Sequence, residues 1–373
     1  MSVAIVHDHL VQRGGAERLL ESMVRAFPGA ALHTSLFEPA ATHPGLAQLD
    51  VTTRPIDRVA FCRRHHRLVA PLLAPSFSSL HLDEDLVLCS STGWSHGVRA
   101  RRGAKLVYFN TPARWLYGAD AFLADAGPLL RLATRATRRS LLAWDRRAVA
   151  GMDGCIANSS EVARRVQDAY GIDPPVVLPP VLVDVSGPRT PVGDLAPGYA
   201  LVVSRLIAYK QVEAVVRAFA DRPDDRLVVV GDGPEAARLR SVAGPNVALL
   251  GSVQEPELRW LYANARLLVS ASFEDFGLTP IEAGAFGLPV AVLRAGGHLD
   301  TVAEGRTGAF FDAPEPDAIR AAIDQVDATP WTRTALVEHA ASFDEAGFAR
   351  RLRDIAADLV GVEVLGPELV ATP

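Results

Sequence analysis

Apolar positions along the chain fall in short, strand-length runs separated by stretches of helical period. In the first half "VAIVHD", "AALHTSLF", "DLVLCSS", "KLVYFN" and "GCIANS" read as strands, and helical spacing appears near residues 15–27, 62–74, 128–149 and 160–170. A second series, "YALVVSRL", "RLVVVGDG", "VALLGSV", "ARLLVSAS" and "PVAVLR", follows the Pro/Gly-rich stretch "DVSGPRTPVGDLAPGY", which reads as a linker. Alternation of this kind predicts parallel sheets with crossover helices, and ligand binding at the carboxyl ends of the strands. The reading is therefore α/β, with two doubly wound domains over 1–187 and 188–345.

Length and composition fit this reading. At 373 residues the chain exceeds one ordinary core. Apolar residues at 49% and charged residues at 22% belong to a globular protein. The apolar runs fall short of the roughly 20 residues of a membrane span. The N-terminus enters a strand at once, without a signal-peptide pattern. The three cysteines, Cys62, Cys89 and Cys155, are widely spaced, which suggests a reducing cytoplasm and gives no metal-spaced cluster. Residues 1–187 carry 21 Lys+Arg against 17 Asp+Glu, and the remainder 17 against 26, so two domains with different partners are expected. No basic stripe with interleaved aromatics points to nucleic acid.

Three segments carry candidate chemistry. In "HDHLVQRGGAER" Gly14 and Gly15 open a helix after the first strand; backbone amides there suit a phosphate or sugar, or the loop is a plain tight turn. It lacks the Gly-x-Gly-x-x-Gly spacing of a dinucleotide site. In "SRLIAYKQ" Arg205 and Lys210 follow a strand, where they neutralise a diphosphate or form an ordinary solvated helix start. "FEDFGLTPIEAGAFGLPV" sets Glu274 and Glu282 around a turn that opens a helix, with Thr279 as expected N-cap. Thr279 and Glu282 also fit a capping box. "GDGP" at 231–234 is explained by a turn with Pro at a helix start. On the loop after "DLVLCSS", Trp94 and His96 are acceptor-side candidates or plain loop residues. Trp115 and Tyr117 either stack on a sugar or pack in a core.

The spacing Glu274-x7-Glu282 resembles the donor motif of retaining glycosyltransferases of family 4. "GGAER", "CIANSSEVARRVQDAYGIDPPVVLPPV", "SRLIAYKQ", "GDGP" and "AGGHLDTVAEGRTGAFF" extend the resemblance in order along nearly the whole chain. It implies a GT-B fold, two Rossmann-like domains facing a central cleft, with 1–187 on the acceptor side, 188–345 on the donor side, and helix 346–373 crossing back onto the first domain. It further implies that Arg205 and Lys210 hold a nucleotide diphosphate, Glu282 the ribose hydroxyls and Glu274 the transferred sugar. The amides around Phe276, Gly277, Leu278 and Thr279 would meet sugar and phosphate, with Gly14 and Gly15 completing the donor contacts. The first half is similar to the mannosyltransferase-like branch, which reads His-Thr-Pro-x-Arg-Tyr where this chain has Asn110, Thr111, Pro112 and Arg114. Asn bonds a sugar hydroxyl but carries no proton at neutral pH. A second departure is Asp300, where the Gly-Gly-x-x-Glu pattern of such enzymes has Glu.

The expectation is a cytoplasmic, retaining, metal-independent transferase that needs no cofactor beyond its nucleotide-sugar co-substrate. Catalysis is assigned to Glu274, Arg205, Lys210 and Asn110, and acceptor contacts to His96, Arg114 and Trp115. GDP-mannose is the leading donor and a UDP-sugar the alternative; a hydrolase or epimerase on the same fold and a non-catalytic nucleotide-sugar-binding subunit are the rivals. "FCRRHHRLVAPLLAPSF" reads either as an amphipathic helix on an anionic inner membrane face or as a helix packed on its own sheet.

Overall fold

Each apolar run becomes a short parallel strand whose two faces are both covered, which is why the runs are continuous and not alternating. The computed structural model describes residues 1–66, 68–117 and 128–361. Two units emerge, Met1–Pro180 with Glu345–Pro373, and Val181–Asp344.

The first unit is built on strands β1 (Val3–His7), β2 (Ala31–Thr34), β3 (Val51–Thr53), β5 (Leu86–Ser91), β7 (Ala104–Phe109) and β8 (Gly154–Ala157). They are parallel in the order β3-β2-β1-β5-β7-β8, while β4 (His81–Leu82) and β6 (Arg99–Ala100) form a separate small pair. The order reverses between β1 and β5, the topological switch of a doubly wound sheet. Register sets His7 beside Ser90 and Ser91 beside Phe109, so polar residues collect at the carboxyl ends of the strands. The helix Glu345–Val360 buries Phe348, Leu352 and Ala356 at four-residue spacing, one helical stripe. Phe348 meets Tyr108 of β7 edge-on at 6.0 Å, and Arg25 pairs with Glu345 at 2.6 Å.

The second unit repeats the plan with β9 (Tyr199–Val203), β10 (Leu227–Val230), β11 (Val247–Gly251), β12 (Ala265–Ser270), β13 (Val290–Leu293) and β14 (Gly308–Phe311). Their order is β11-β10-β9-β12-β13-β14, again parallel throughout, with the switch between β9 and β12. Val202, Val229, Leu267 and Ala291 fill one side of this sheet, and Leu201, Val228, Leu268 and Val292 the other.

Three sequence-based expectations change. The division falls at Pro180/Val181 instead of 187/188, because the supposed linker is held by the second unit. Val183 is buried in its core, Val181 N–H donates to Phe343 O at 2.8 Å, and Arg259 donates to Asp184 O at 2.7 Å. The helix expected over 62–74 is two pieces, Ala60–Arg64 and Ala70–Ser78; across them and their connection Val69, Leu73 and Phe77 are buried while Phe61, Leu68 and Leu72 are each 55% exposed. The edge strands β3 and β14, three and four residues long, carried too little pattern to be read.

Lys105 is a buried charge away from the carboxyl ends of the strands. It is 3% exposed and donates to the carbonyls of His96 (3.0 Å), Val98 (3.3 Å) and Ala148 (3.0 Å). Burial pushes its pKa down, and three carbonyl acceptors satisfy the ammonium. Among the described residues no helix is long and apolar enough to cross a membrane.

Candidate functional site

The chain leaves β12 through Ser270 and enters the helix Leu278–Ala285 by way of Glu274–Gly277. This helix starts two residues before the expected position: its N-cap is Gly277, with no side-chain cap, and Thr279 is already helical. Gly277 has φ +87°, where only glycine is at ease, and a methyl there would lie 2.8 Å from His298 Cδ2. The helix therefore begins with uncapped amides, the arrangement that favours a negative group. The Gly296-Gly297 pair lies flat against the turn. Gly297 N–H donates to Glu274 O at 3.0 Å, and a methyl on Gly297 would come within 2.2 Å of Phe276 O. These glycines thus pin the motif loop by close backbone approach. Phe276 is buried, edge-on to Phe343 at 6.2 Å.

Glu274 and Lys210, 64 residues apart, form an ion pair. Lys210 Nζ donates to both carboxylate oxygens, at 2.6 Å to Oε1, and Ser272 Oγ donates to Oε1 at 2.6 Å. The side chains are 10% (Lys210) and 20% (Glu274) exposed. Burial pushes the Glu274 carboxyl up, but the Lys210 charge, the neighbouring His298 and the bonds from Lys210 and Ser272 outweigh it and hold it at about 2. His298 is wholly buried and its pKa is lowered by that burial. Its Nδ1 donates to Leu293 O at 3.1 Å, while Nε2 has no hydrogen-bond partner.

Arg205 follows β9 and is exposed, with Nη2 3.1 Å from the Tyr209 hydroxyl. Lys210 ends the turn Ala208–Lys210, with its ammonium 5.2 Å from the Tyr209 ring centre, and Gln211 then takes φ +54° before the next helix. A cavity of about 390 Å³ opens on Ile207, Ala208 and Gln211, but neither Glu274 nor Glu282 lines it. Its acid Glu213 is paired with Arg217 and Arg238. Glu282 is 5% exposed and accepts from the Tyr262 hydroxyl at 3.0 Å; Tyr262 in turn stacks on Phe286 at 5.2 Å. The second unit thus assembles one exposed cation, one paired cation, two acids and an uncapped helix start. Ser272, His298, Tyr209 and Tyr262 were not read from the sequence. Only His298 carried a signal, standing directly after the Gly-Gly pair.

In the first unit Gly14 is the N-cap of the helix Gly15–Ala26, and Glu17 folds back over it. A methyl on Gly14 would lie 2.4 Å from Glu17 Oε2, and Gln12 donates to Glu17 Oε1 at 2.9 Å. The helix start that was expected to present bare amides already faces a carboxylate. Asn110 directly follows β7, buried, with Nδ2 donating to Ser90 Oγ at 3.0 Å; the same hydroxyl meets His7 Nδ1 at 3.1 Å. Arg114 begins the short helix Arg114–Tyr117 and is half-buried; the Trp115 side chain lies outside the described residues, as does Arg67.

His96 is a correction. It is wholly buried, with Nδ1 2.9 Å from Ser91 Oγ and Nε2 3.0 Å from Asp145 Oδ1, and the Trp144 ring centre lies 5.3 Å away. Asp145 also accepts from Tyr117 at 2.6 Å and Tyr170 at 3.4 Å. A bare residue at 97, where a methyl would strike Trp144 at 2.5 Å, lets the long helix Pro128–Ala150 press onto this loop. His96, wholly buried, and Tyr117, partly buried, therefore belong to a hydrogen-bonded network around Asp145.

Comparison with known proteins agrees with this architecture. The family model described as Glycosyl transferases group 1 matches residues 192–343. The D-inositol 3-phosphate glycosyltransferase of Corynebacterium diphtheriae is 32% identical over 182 residues, 43% of each chain. A GDP-mannose-dependent alpha-mannosyltransferase of Corynebacterium glutamicum is 39% identical over 111 residues, 30% of this chain and 26% of that protein. The matched stretches thus span about half or less of these curated relatives. Among solved structures, the sucrose-phosphate synthase of Thermosynechococcus elongatus superposes with a TM-score of 0.72 at 18% identity, covering 97% of this chain and 100% of that one. Anabaena HepE in complex with UDP and glucose gives 0.69 at 18% identity, covering 96% and 99%. The sheets and these likenesses give the chain the GT-B fold, and its residues 192–343 match the family model of Glycosyl transferases group 1.

Proposed function

We propose that the protein is a glycosyltransferase that moves a sugar from a nucleotide diphosphate to an acceptor hydroxyl. The observation that carries this is the meeting of Lys210, Glu274 and an uncapped helix start within the matched domain. Phosphate needs the cations and amides; sugar hydroxyls need a carboxylate that stays ionised, and Glu274 does. Arg205 and Lys210 take the diphosphate, Glu274 the transferred sugar and Glu282 the ribose. Amides around Phe276–Thr279 contact both sugar and phosphate, and Gly14 and Gly15 are assigned to the donor. Asn110, Arg114 and Trp115 are assigned to the sugar and acceptor.

In this reading the bond between the anomeric carbon and the phosphate oxygen breaks while the acceptor oxygen attacks from the same face. The acceptor's proton passes to the departing phosphate oxygen, so no side-chain base is required at Asn110. The anomeric configuration is retained and no metal is needed, the leaving charge being met by Arg205, Lys210 and the helix start. GDP-mannose is the leading donor, supported by the branch likeness and the mannosyltransferase relative; a UDP-sugar is the alternative, supported by the HepE likeness. The expected setting is the cytoplasm, with peripheral membrane contact through the exposed Phe61, Leu68 and Leu72 beside Arg64.

A thermal-shift panel of GDP, UDP and their sugars tests the reading. A ligand at a hundred times its dissociation constant adds about 2.7 kcal/mol of stability; no shift with any member would remove it. The second reading, a binding subunit without catalysis, is favoured by the commitment of Asn110 to Ser90, and binding without transfer would select it. NMR of the product's anomeric proton, on reactions run in excess chelator, tests retention and metal independence together.

A further inference from the structure

We infer that His298 is a specificity-determining residue of this site, its Nε2 lone pair accepting a hydrogen bond from a hydroxyl of the bound sugar next to the one held by Glu274. The inference rests on the donor-site reading above and names a residue which that reading leaves without a role. A carbonyl can only accept, so the 3.1 Å contact with Leu293 O fixes the proton of the neutral ring on Nδ1 and leaves Nε2 as an acceptor. That nitrogen is wholly buried and has no hydrogen-bond partner, an acceptor left unmet.

The ring edge lies against the bare Cα of Gly277. A methyl built there would be 2.8 Å from His298 Cδ2, 3.4 Å from Nε2 and 3.6 Å from Glu274 Cβ. The imidazole edge, the helix start and the Glu274 side chain therefore converge on one point. A lone pair and a carboxylate side by side repel phosphate oxygens but accept from two O–H donors, which neighbouring sugar hydroxyls provide. Lys210 is paired with the same Glu274 carboxylate. As Lys210 turns to the diphosphate, it leaves both acceptors to the sugar.

The test uses the full chain with the nucleotide it binds, the matching nucleotide sugar and a series of mono-deoxy donors. Removing one hydrogen bond between neutral groups is read as a loss of about tenfold. His298→Leu is expected to keep its affinity for the nucleoside diphosphate within about twofold while losing about tenfold in kcat/KM with the intact donor. The parent is expected to penalise one particular deoxy donor about tenfold, and His298→Leu to treat that analogue like the full sugar. His298→Gln keeps an acceptor and is expected to recover part of the loss; it carries the comparison if the leucine variant does not fold. Unchanged deoxy penalties in His298→Leu, or, in either variant, equal losses with nucleotide and nucleotide sugar, would overturn the inference while leaving the donor site standing. A parent that binds no nucleotide would remove the proposed function, and this inference with it.

Discussion

Replacing Lys210 with Met keeps the length of the side chain and removes its charge, leaving Glu274 in a mostly enclosed place without a counterion. The Glu274 carboxyl is held at about 2 against an ordinary 4.5. At 1.36 kcal/mol per pKa unit this corresponds to about 3 kcal/mol of pH-linked stability. The folded-state pKa is the depressed one, so this contribution is complete above about pH 4.5 and fades as the pH falls toward 2. Without Lys210 the burial contribution dominates, and the Glu274 pKa moves above its ordinary value. Breaking a buried pair from one side costs about 3–5 kcal/mol; with Glu274 still 20% exposed, a value near the lower end is expected at pH 7. Urea unfolding of the parent, Lys210→Met, Glu274→Gln and the double variant isolates the pair as a coupling energy. The expected coupling is about 2–3 kcal/mol at pH 7. The deficit of Lys210→Met should narrow on going to pH 4, because its Glu274 takes up a proton there while the parent's does not. A coupling below about 0.5 kcal/mol, the range of exposed pairs, or a deficit indifferent to pH, would refute the reasoning.

Glu274→Gln releases Lys210 from its partner, so calorimetry should show nucleoside diphosphate bound at least as tightly as by the parent while sugar transfer falls. Arg205→Ala should lose about 1.5–3 kcal/mol of diphosphate affinity in the same experiment, the worth of a hydrogen bond to a charged group. Asp145→Asn leaves His96, Tyr117 and Tyr170 facing a neutral amide and should cost about 1–3 kcal/mol in thermal unfolding, without changing nucleotide affinity. Phe61→Ser with Leu72→Ser should abolish flotation with anionic vesicles if the exposed apolar residues dock there; equal flotation of parent and variant would remove that contact.

The interior strands of both sheets were legible because burial on both faces leaves an unbroken apolar run. The edges β3 and β14 were not, since "VTT" and "GAFF" are too short to show a period. Strand order is not written in any local stretch; it follows from pairings such as Ile5 with Leu88. Within the candidate site, Glu274 and Glu282 stood out by their spacing, but the partner each takes did not. Lys210 reaches Glu274 and Tyr262 reaches Glu282 only through the fold. His96 misled for a related reason: its loop position suggested exposure, and the Asp145 that draws it inward lies on a helix 49 residues further on. The 62–74 segment had helical period, but the chain breaks after Arg64, and Val69 and Leu73 turn inward from the second piece.

The first unit is interrupted in sequence by the whole of the second, and this orders events during synthesis. Residues 1–180 leave the ribosome with the Tyr108 side of their sheet still uncovered, because Phe348, Leu352 and Ala356 arrive only after Val181–Asp344 has been made. The inserted unit is continuous and has its own core, so it can close first even though it is translated second. A message truncated just after Asp344 would yield an intact second unit joined to a first unit with an open apolar groove, a species whose fate is capture by chaperones or aggregation rather than partial function.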